Sequence, residues 1–176
     1  MDTFIEYLVK KRRTSKDVLA MVGIAILTGV ATFLMFILMA MFQAFSSIIF
    51  LLFAGCVYFA YRWFTSFNVE YEYSLVNTEM DVEKIVAQRK RKRLVTFKIR
   101  GLEGFGLCKN SRALRGYLEN SNIKKIYACT DISDEGVYYA LCETEEKKTL
   151  LLFNPSEKMV EAIKKQNPRK INEFEL

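Results

Sequence analysis

"NVEYEYSLVNTEMDVEKIVAQRKRKRLVTFKI", residues 68–99, is the stretch on which the fold turns. Val69, Tyr71, Tyr73 and Leu75 alternate with Glu70, Glu72 and Ser74, the period-two pattern of a half-buried antiparallel strand. "VNTE" supplies a turn, and Met80, Val82 and Val86 resume the alternation. After "AQRK" a third run carries Val95, Phe97 and Ile99 on one face. Three strands joined by tight turns make a meander, and five consecutive basic residues, Arg89 to Arg93, sit at and just after its second turn.

Upstream the chemistry changes. From Val18 to Tyr61 there is no charged residue, a run of 44 positions. A bilayer needs about 20 apolar residues per crossing. One continuous helix of that length is about 66 Å long, roughly twice the hydrocarbon thickness. The run therefore predicts two membrane helices, about Asp17–Met41 and Ser47–Phe64, with "FQAFSS" as the turn. Tyr58, Tyr61 and Trp63 fall where aromatic rings favour the headgroup level. A cleaved signal peptide has an apolar core of about 7–15 residues, and this first span exceeds it. Hydrophobic content of 51% with a mean hydropathy of only +0.07 fits a chain split between a very apolar and a polar part.

Lys10, Lys11, Arg12, Arg13 and Lys16 precede the first span, and Arg62 and the basic run come after the second. The connecting turn is uncharged. The positive-inside rule places both termini in the cytoplasm, with the chain in a plasma membrane. Cys56 is intramembrane, and Cys108, Cys129 and Cys142 lack metal-type spacing, so all four read as reduced apolar residues. Three segments result: a basic amphipathic lead, 1–16; a transmembrane helical hairpin, 17–65; and a cytoplasmic domain, 66–176. Two readings of the lead stand: a helix in the membrane interface, or an extension of the first span.

Beyond the meander, "GLEGFGLCKN" (101–110) reads as a bent strand or a loop. "SRALRGYLEN" (111–120) starts on a good N-cap, Ser111, and reads as a short helix. "KKIYACT", "GVYYALCE" and "KTLLLF" are three more strands, joined by "DISDE" and "TEEK" turns. In "NPSEKMVEAIKKQNP" the pattern predicts a helix capped by Asn154, with Pro155 at its first position and Pro168 beyond its end. Met159, Val160 and Ile163 form its apolar stripe. The fold class is α+β: a two-helix hairpin, then a small antiparallel sheet or barrel of six or seven strands, capped by a C-terminal helix.

These features carry a resemblance. Tyr73, Asn77, Met80, Arg89 and Val95 occupy the places of a strand–turn–strand–turn–strand opening similar to that of bacterial pleckstrin-homology-like (PH-like) domains in small membrane proteins. "NVEYEY", "DVEKIVAQRKRKRL" and "FNPSEKM…PRK" more closely resemble an uncharacterised bacterial family of short two-span membrane proteins, a domain of unknown function. The resemblance implies a seven-stranded bent sheet closed by a C-terminal helix, and it brings no catalytic residue, cofactor or ligand. The glycines at 101–106 and the helix at 111–120 depart from it.

Residues 84–100 hold eight Lys or Arg and no acid, whereas the remainder of 66–176 has a net charge of −5. The basic run is thus local, and a broad nucleic-acid surface is not what this domain offers. The second predicted strand returns toward the membrane, so the turn it feeds faces the bilayer. Arg89, Lys90, Arg91, Lys92 and Arg93 are the candidate contacts to anionic headgroups, each worth about 1 kcal/mol near such a surface. The alternative is a solvated turn that only enforces topology. The chain has no histidine, no phosphate-loop pattern and no calcium-loop spacing, which argues against an enzyme or a metal or cofactor site. The function expected is a non-enzymatic, membrane-anchored interaction module, holding its domain at the inner leaflet for a protein partner or a second copy. The alternatives are an anionic-lipid sensor using residues 89–93, or an accessory subunit of a transport or envelope complex.

Overall fold

The computed structural model describes residues 4–109, 111–144 and 147–167. Two expected features, the acids Glu145–Glu146 of the "TEEK" turn and Pro168, lie outside the described residues. The chain divides into two units, residues 13–68 and residues 1–12 with 69–176.

The first unit is helical. α1 (Ser15–Met41) and α2 (Ser46–Thr65) are joined by a 3-10 turn at Gln43–Phe45. Both are long and apolar enough to cross a membrane by length and composition. The start of α1 is closed by Thr14, whose backbone N–H donates to the Asp17 carboxylate at 3.0 Å. The two helices touch through rings such as Phe36 and Phe53, 6.0 Å apart. Their other apolar side chains face outward: Leu19, Leu51 and Phe59 are each more than 70% exposed. An exposed apolar surface of this extent is unusual for a helix facing water.

The second unit contains two sheets. The first has the order β1 (Phe4–Lys10), β2 (Val69–Val76), β3 (Glu79–Val86), β4 (Lys90–Lys98), all antiparallel. The second has the order β5 (Leu102–Leu107), β7 (Tyr138–Glu143), β8 (Lys148–Phe153), β6 (Lys124–Ala128). β6 runs parallel to β8, so the expectation of a wholly antiparallel sheet is corrected at one pair. Eight strands stand among the described residues, one or two more than the sequence suggests.

The main correction concerns the lead. Residues 4–10 are neither an interfacial helix nor an extension of α1; they are a strand paired along its length with β2, from Phe4 opposite Val76 to Lys10 opposite Glu70. "FIEYLVK" fits both periods, because apolar residues fall at i and i+4 as well as at alternate positions. What decides is β2, whose free edge provides seven partners and lets Val9 and Ile5 join the core. The folded domain is therefore not 66–176 alone: β1 belongs to it, and the helical pair is inserted between two neighbouring strands.

The inner face of the first sheet (Tyr71, Tyr73, Leu75, Met80, Val82, Val95, Phe97) packs with Phe105, Ala140, Leu151 and Phe153 of the second. The expected closing helix, α4 (Glu157–Gln166), adds Met159 and Ile163, both fully buried. Its cap is Ser156 rather than Asn154: the Ser156 hydroxyl accepts from the Met159 N–H at 3.4 Å. Asn154 is engaged elsewhere, accepting from the Thr130 N–H at 2.8 Å. Tyr73 ties the sheets together, its hydroxyl donating to the Ala128 carbonyl and accepting from the Asn154 N–H at 3.3 Å.

The other face of the second sheet is covered as well. α3 (Arg112–Glu119) lays Leu114, Tyr117 and Leu118 over Val137, Tyr139, Leu141, Leu150 and Leu152. Ser111 caps α3 as its sequence indicates, accepting from the Leu114 N–H at 3.2 Å. The glycine-rich stretch is strand β5. A Cβ on Gly106 would lie 3.2 Å from the Tyr139 ring, so the small residue makes room for that ring.

Candidate functional site

The register of the first sheet collects its basic residues at one end. Lys10 is opposite Glu70, Glu70 opposite Ile85, and Val86 opposite Lys90. The end of β1, the start of β2 and the turn from β3 to β4 thus share one edge of the sheet. Lys10, Lys11, Lys84, Arg89, Lys90 and Lys92 all fall within it. Lys11 is held there by its N–H, which donates to the Val69 carbonyl at 2.9 Å. The chain passes into the helical unit through residues 11–14 and returns through 66–68, both at this end.

The strand alternation divides the five residues singled out in the sequence. Arg91 and Arg93 point to the outer face of the sheet, toward carboxylates. Arg91 Nη1 lies 3.1 Å from Glu72 Oε2, and Arg93 Nε lies 3.5 Å from Glu83 and 4.0 Å from Asp81. Lys90 and Lys92 point to the opposite face, where Lys92 stands directly across from Lys84. Val82 is the last fully buried residue of its alternating series, and Lys84 and Val86 continue the series past it, whereas Ile85, on the other face opposite Glu70 and Arg91, is buried. Arg89 is in the turn itself.

Two features of this end cost stability. Lys84 and Lys92 are a like-charged cross-strand pair, which disfavours pairing. Ala87 and Gln88 both have φ of 55°, the left-handed region that Asn and Gly occupy readily and other residues do not. The Arg89 N–H donates to the Val86 carbonyl at 3.1 Å and closes the turn around them. A two-residue hairpin loop of type I′ requires φ > 0 at both central positions, and here neither is the Asn or Gly that favours it.

The outer face behaves differently. Glu72 is only 8% exposed and has Glu83 directly opposite. Its carboxyl is pushed above the usual range, chiefly by burial and then by a hydrogen bond to Glu6; the charges of Glu6 and Glu83 raise it further, and Arg91 opposes them. These acids neutralise two of the five basic residues in the run.

Thiol chemistry is not favoured anywhere in the domain. Burial pushes Cys108 and Cys142 up to about 12 and Cys129 up to about 11, far from the thiolate range.

Lys84 joins this end of the sheet although it stands outside the run of five. Its signal is present in the sequence: Met80, Val82, Lys84 and Val86 form one alternating series, and the charge within it marks where the core stops. Lys10 and Lys11 can be placed beside the turn only once β1 is known to be a strand.

A family model described as "Bacterial PH-like domain (DUF6106)" matches residues 1–173, a span that includes β1, the helical pair and both sheets. No curated protein and no solved structure matches the chain. By the extent of that match, the chain belongs to the bacterial PH-like domain family DUF6106, of unknown function.

Proposed function

We propose that this chain is a membrane-anchored, non-enzymatic interaction module. In this reading α1 and α2 lie in the bilayer with both termini on the cytoplasmic side. The basic end of the first sheet meets anionic headgroups, and the PH-like domain is held at the inner leaflet for a protein partner or a second copy.

The observation that carries the reading is the pairing of β1 with β2. Because the strands before and after the helical pair are neighbours, both ends of the pair connect to one end of one sheet. The connecting residues, 11–14 and 66–68, span at most about 14 Å when fully extended. The like-charged Lys84–Lys92 pair sits at that same end, where anionic lipid offsets the repulsion. In this reading Arg89, Lys90 and Lys92 of the run 89–93, with Lys84 and Lys11, face the lipid, and Arg91 and Arg93 are engaged by carboxylates.

Epitope tags on the two ends of the full chain test the placement. In inverted membrane vesicles both tags become accessible to protease, and in right-side-out vesicles neither does. Tags on opposite sides of the membrane would overturn the reading, and would also be incompatible with β1 pairing with β2.

A further inference from the structure

The two sheets leave an open groove between their edge strands β4 and β6, with a volume of about 860 Å³. Among the described residues no strand pairs with the free side of either one. Leu94, Phe97 and Ile126 form the apolar lining; Glu79, Lys98 and Lys124 supply charge. Leu94 is placed there by a bulge. Val95 stands opposite Val82 and Arg93 opposite Glu83, so Leu94 has no residue across from it on β3.

The backbone of β4 sets what can enter. The Ile99 N–H donates to the Thr78 carbonyl, on the β3 side. By alternation the N–H and C=O groups of Thr96 and Lys98 turn to the free side. A strand edge of this kind is completed by another extended backbone. Charge narrows the class. The two strands that bound the groove hold seven Lys or Arg, five on β4 and two on β6, and no acid. Glu79 and Glu143, which also line it, stand directly opposite lysines of neighbouring strands, Lys98 and Lys148.

We propose that this groove binds an extended, acidic segment of a partner protein, which joins β4 as a further strand. Phe97 and Lys98, being consecutive, lie on opposite faces of β4, so the segment alternates as well. Its apolar residues cover Phe97, Leu94 and Ile126, and its Asp or Glu residues face Lys98 and Lys124. The inference rests on the interaction-module reading, whose partner it specifies; it does not depend on lipid contact.

Displayed random peptides, selected on the full chain in neutral-lipid nanodiscs and counter-selected on empty nanodiscs, test it. The expected binders alternate Asp or Glu with apolar residues. For the tightest of them, made synthetically, Lys98→Glu with Lys124→Glu weakens binding by about tenfold or more. Methylating the peptide's backbone nitrogens at one set of alternate positions abolishes binding, and methylating the other set changes it by less than about threefold, a split that strand addition produces. That second readout alters the peptide alone, so the fold of the chain is not in question. No binders, binders without acidic enrichment, or equal effects of the two methylation patterns would overturn the proposal. Binders with full affinity for the charge-reversed chain would overturn the groove and leave an interaction module standing. The lipid is neutral throughout, so the membrane placement stands or falls separately, on the tags at the two ends.

Discussion

The two sheets of the domain have opposite relations to their surroundings. The second is covered on both faces, by the first sheet and α4 on one side and by α3 on the other, and from Thr149 to Phe153 β8 is at most 1% exposed. The first sheet packs only one face on the other sheet, its outer face mixes buried Glu70, Glu72 and Ile85 with exposed residues, and β4 begins with four exposed basic residues. Residues of the second sheet are therefore constrained by packing. On the first sheet, the outer face and the basic end carry charge and a turn in the left-handed region. Substitutions should separate the two sheets.

The largest effect belongs to the shared core. Ile163→Asp puts an unpaired charge where there is no exposure at all, and should cost several kcal/mol, of order 3–5. A thermal melt in detergent reads it as loss of the folded transition; wild-type behaviour would mean that α4 does not cover the core. Next comes a matched pair of leucines. Leu152→Ala, beneath α3, should cost about 2–5 kcal/mol. Leu8→Ala, on the outer face of β1 and 50% exposed, should stay within about 0.5 kcal/mol. Equal losses would erase the distinction between the sheets.

The strained turn gives an effect of the opposite sign. Ala87→Asn with Gln88→Gly relieves two residues held at φ of 55° and should raise stability by about 1–2 kcal/mol. No gain in denaturant midpoint would show that the turn carries no strain.

The smallest effect is tied to pH. Because the Glu72 carboxyl is raised in the folded state, the fold is favoured while that group is protonated, and it loses stability as pH rises through the raised value. Glu72→Gln should therefore stabilise the protein at neutral pH, by about 0.2–1 kcal/mol, the range for opposed like charges on neighbouring strands. The gain should fade in acid below the ordinary carboxylate range, where wild-type Glu72 is protonated in both states. A melting series from pH 3 to 8 that shows a constant difference would contradict this electrostatic origin.

The comparison also explains what the sequence disclosed. Strands β2, β3, β7 and β8 are legible because their apolar residues alternate or run on continuously in the residue order, although the burial of Ile85, Glu70 and Glu72 on the other face of the first sheet is not. The Ser111 cap and the Met159–Ile163 stripe are legible for the same local reason. β1 is not, because "FIEYLVK" satisfies both periods and its partner lies about sixty residues away, beyond the helical pair. The parallel pairing of β6 with β8 is likewise non-local. The basic run is visible as a composition. Its division into Arg91 and Arg93 against carboxylates, and Lys90 and Lys92 away from them, comes from a register that composition does not carry.

The central claim is that the basic end of the first sheet works against an anionic membrane. Deuterium uptake of residues 84–92, measured on the full chain in nanodiscs, tests it most directly. The account predicts slower uptake in anionic than in neutral lipid, with the difference shrinking as salt shortens the Debye length from about 10 Å at 0.1 M. It also predicts that Arg89→Gln with Lys90→Gln and Lys92→Gln removes the difference, while Arg91→Gln with Arg93→Gln largely preserves it. Equal uptake in the two lipids, or equal sensitivity to the two sets of substitutions, would contradict it.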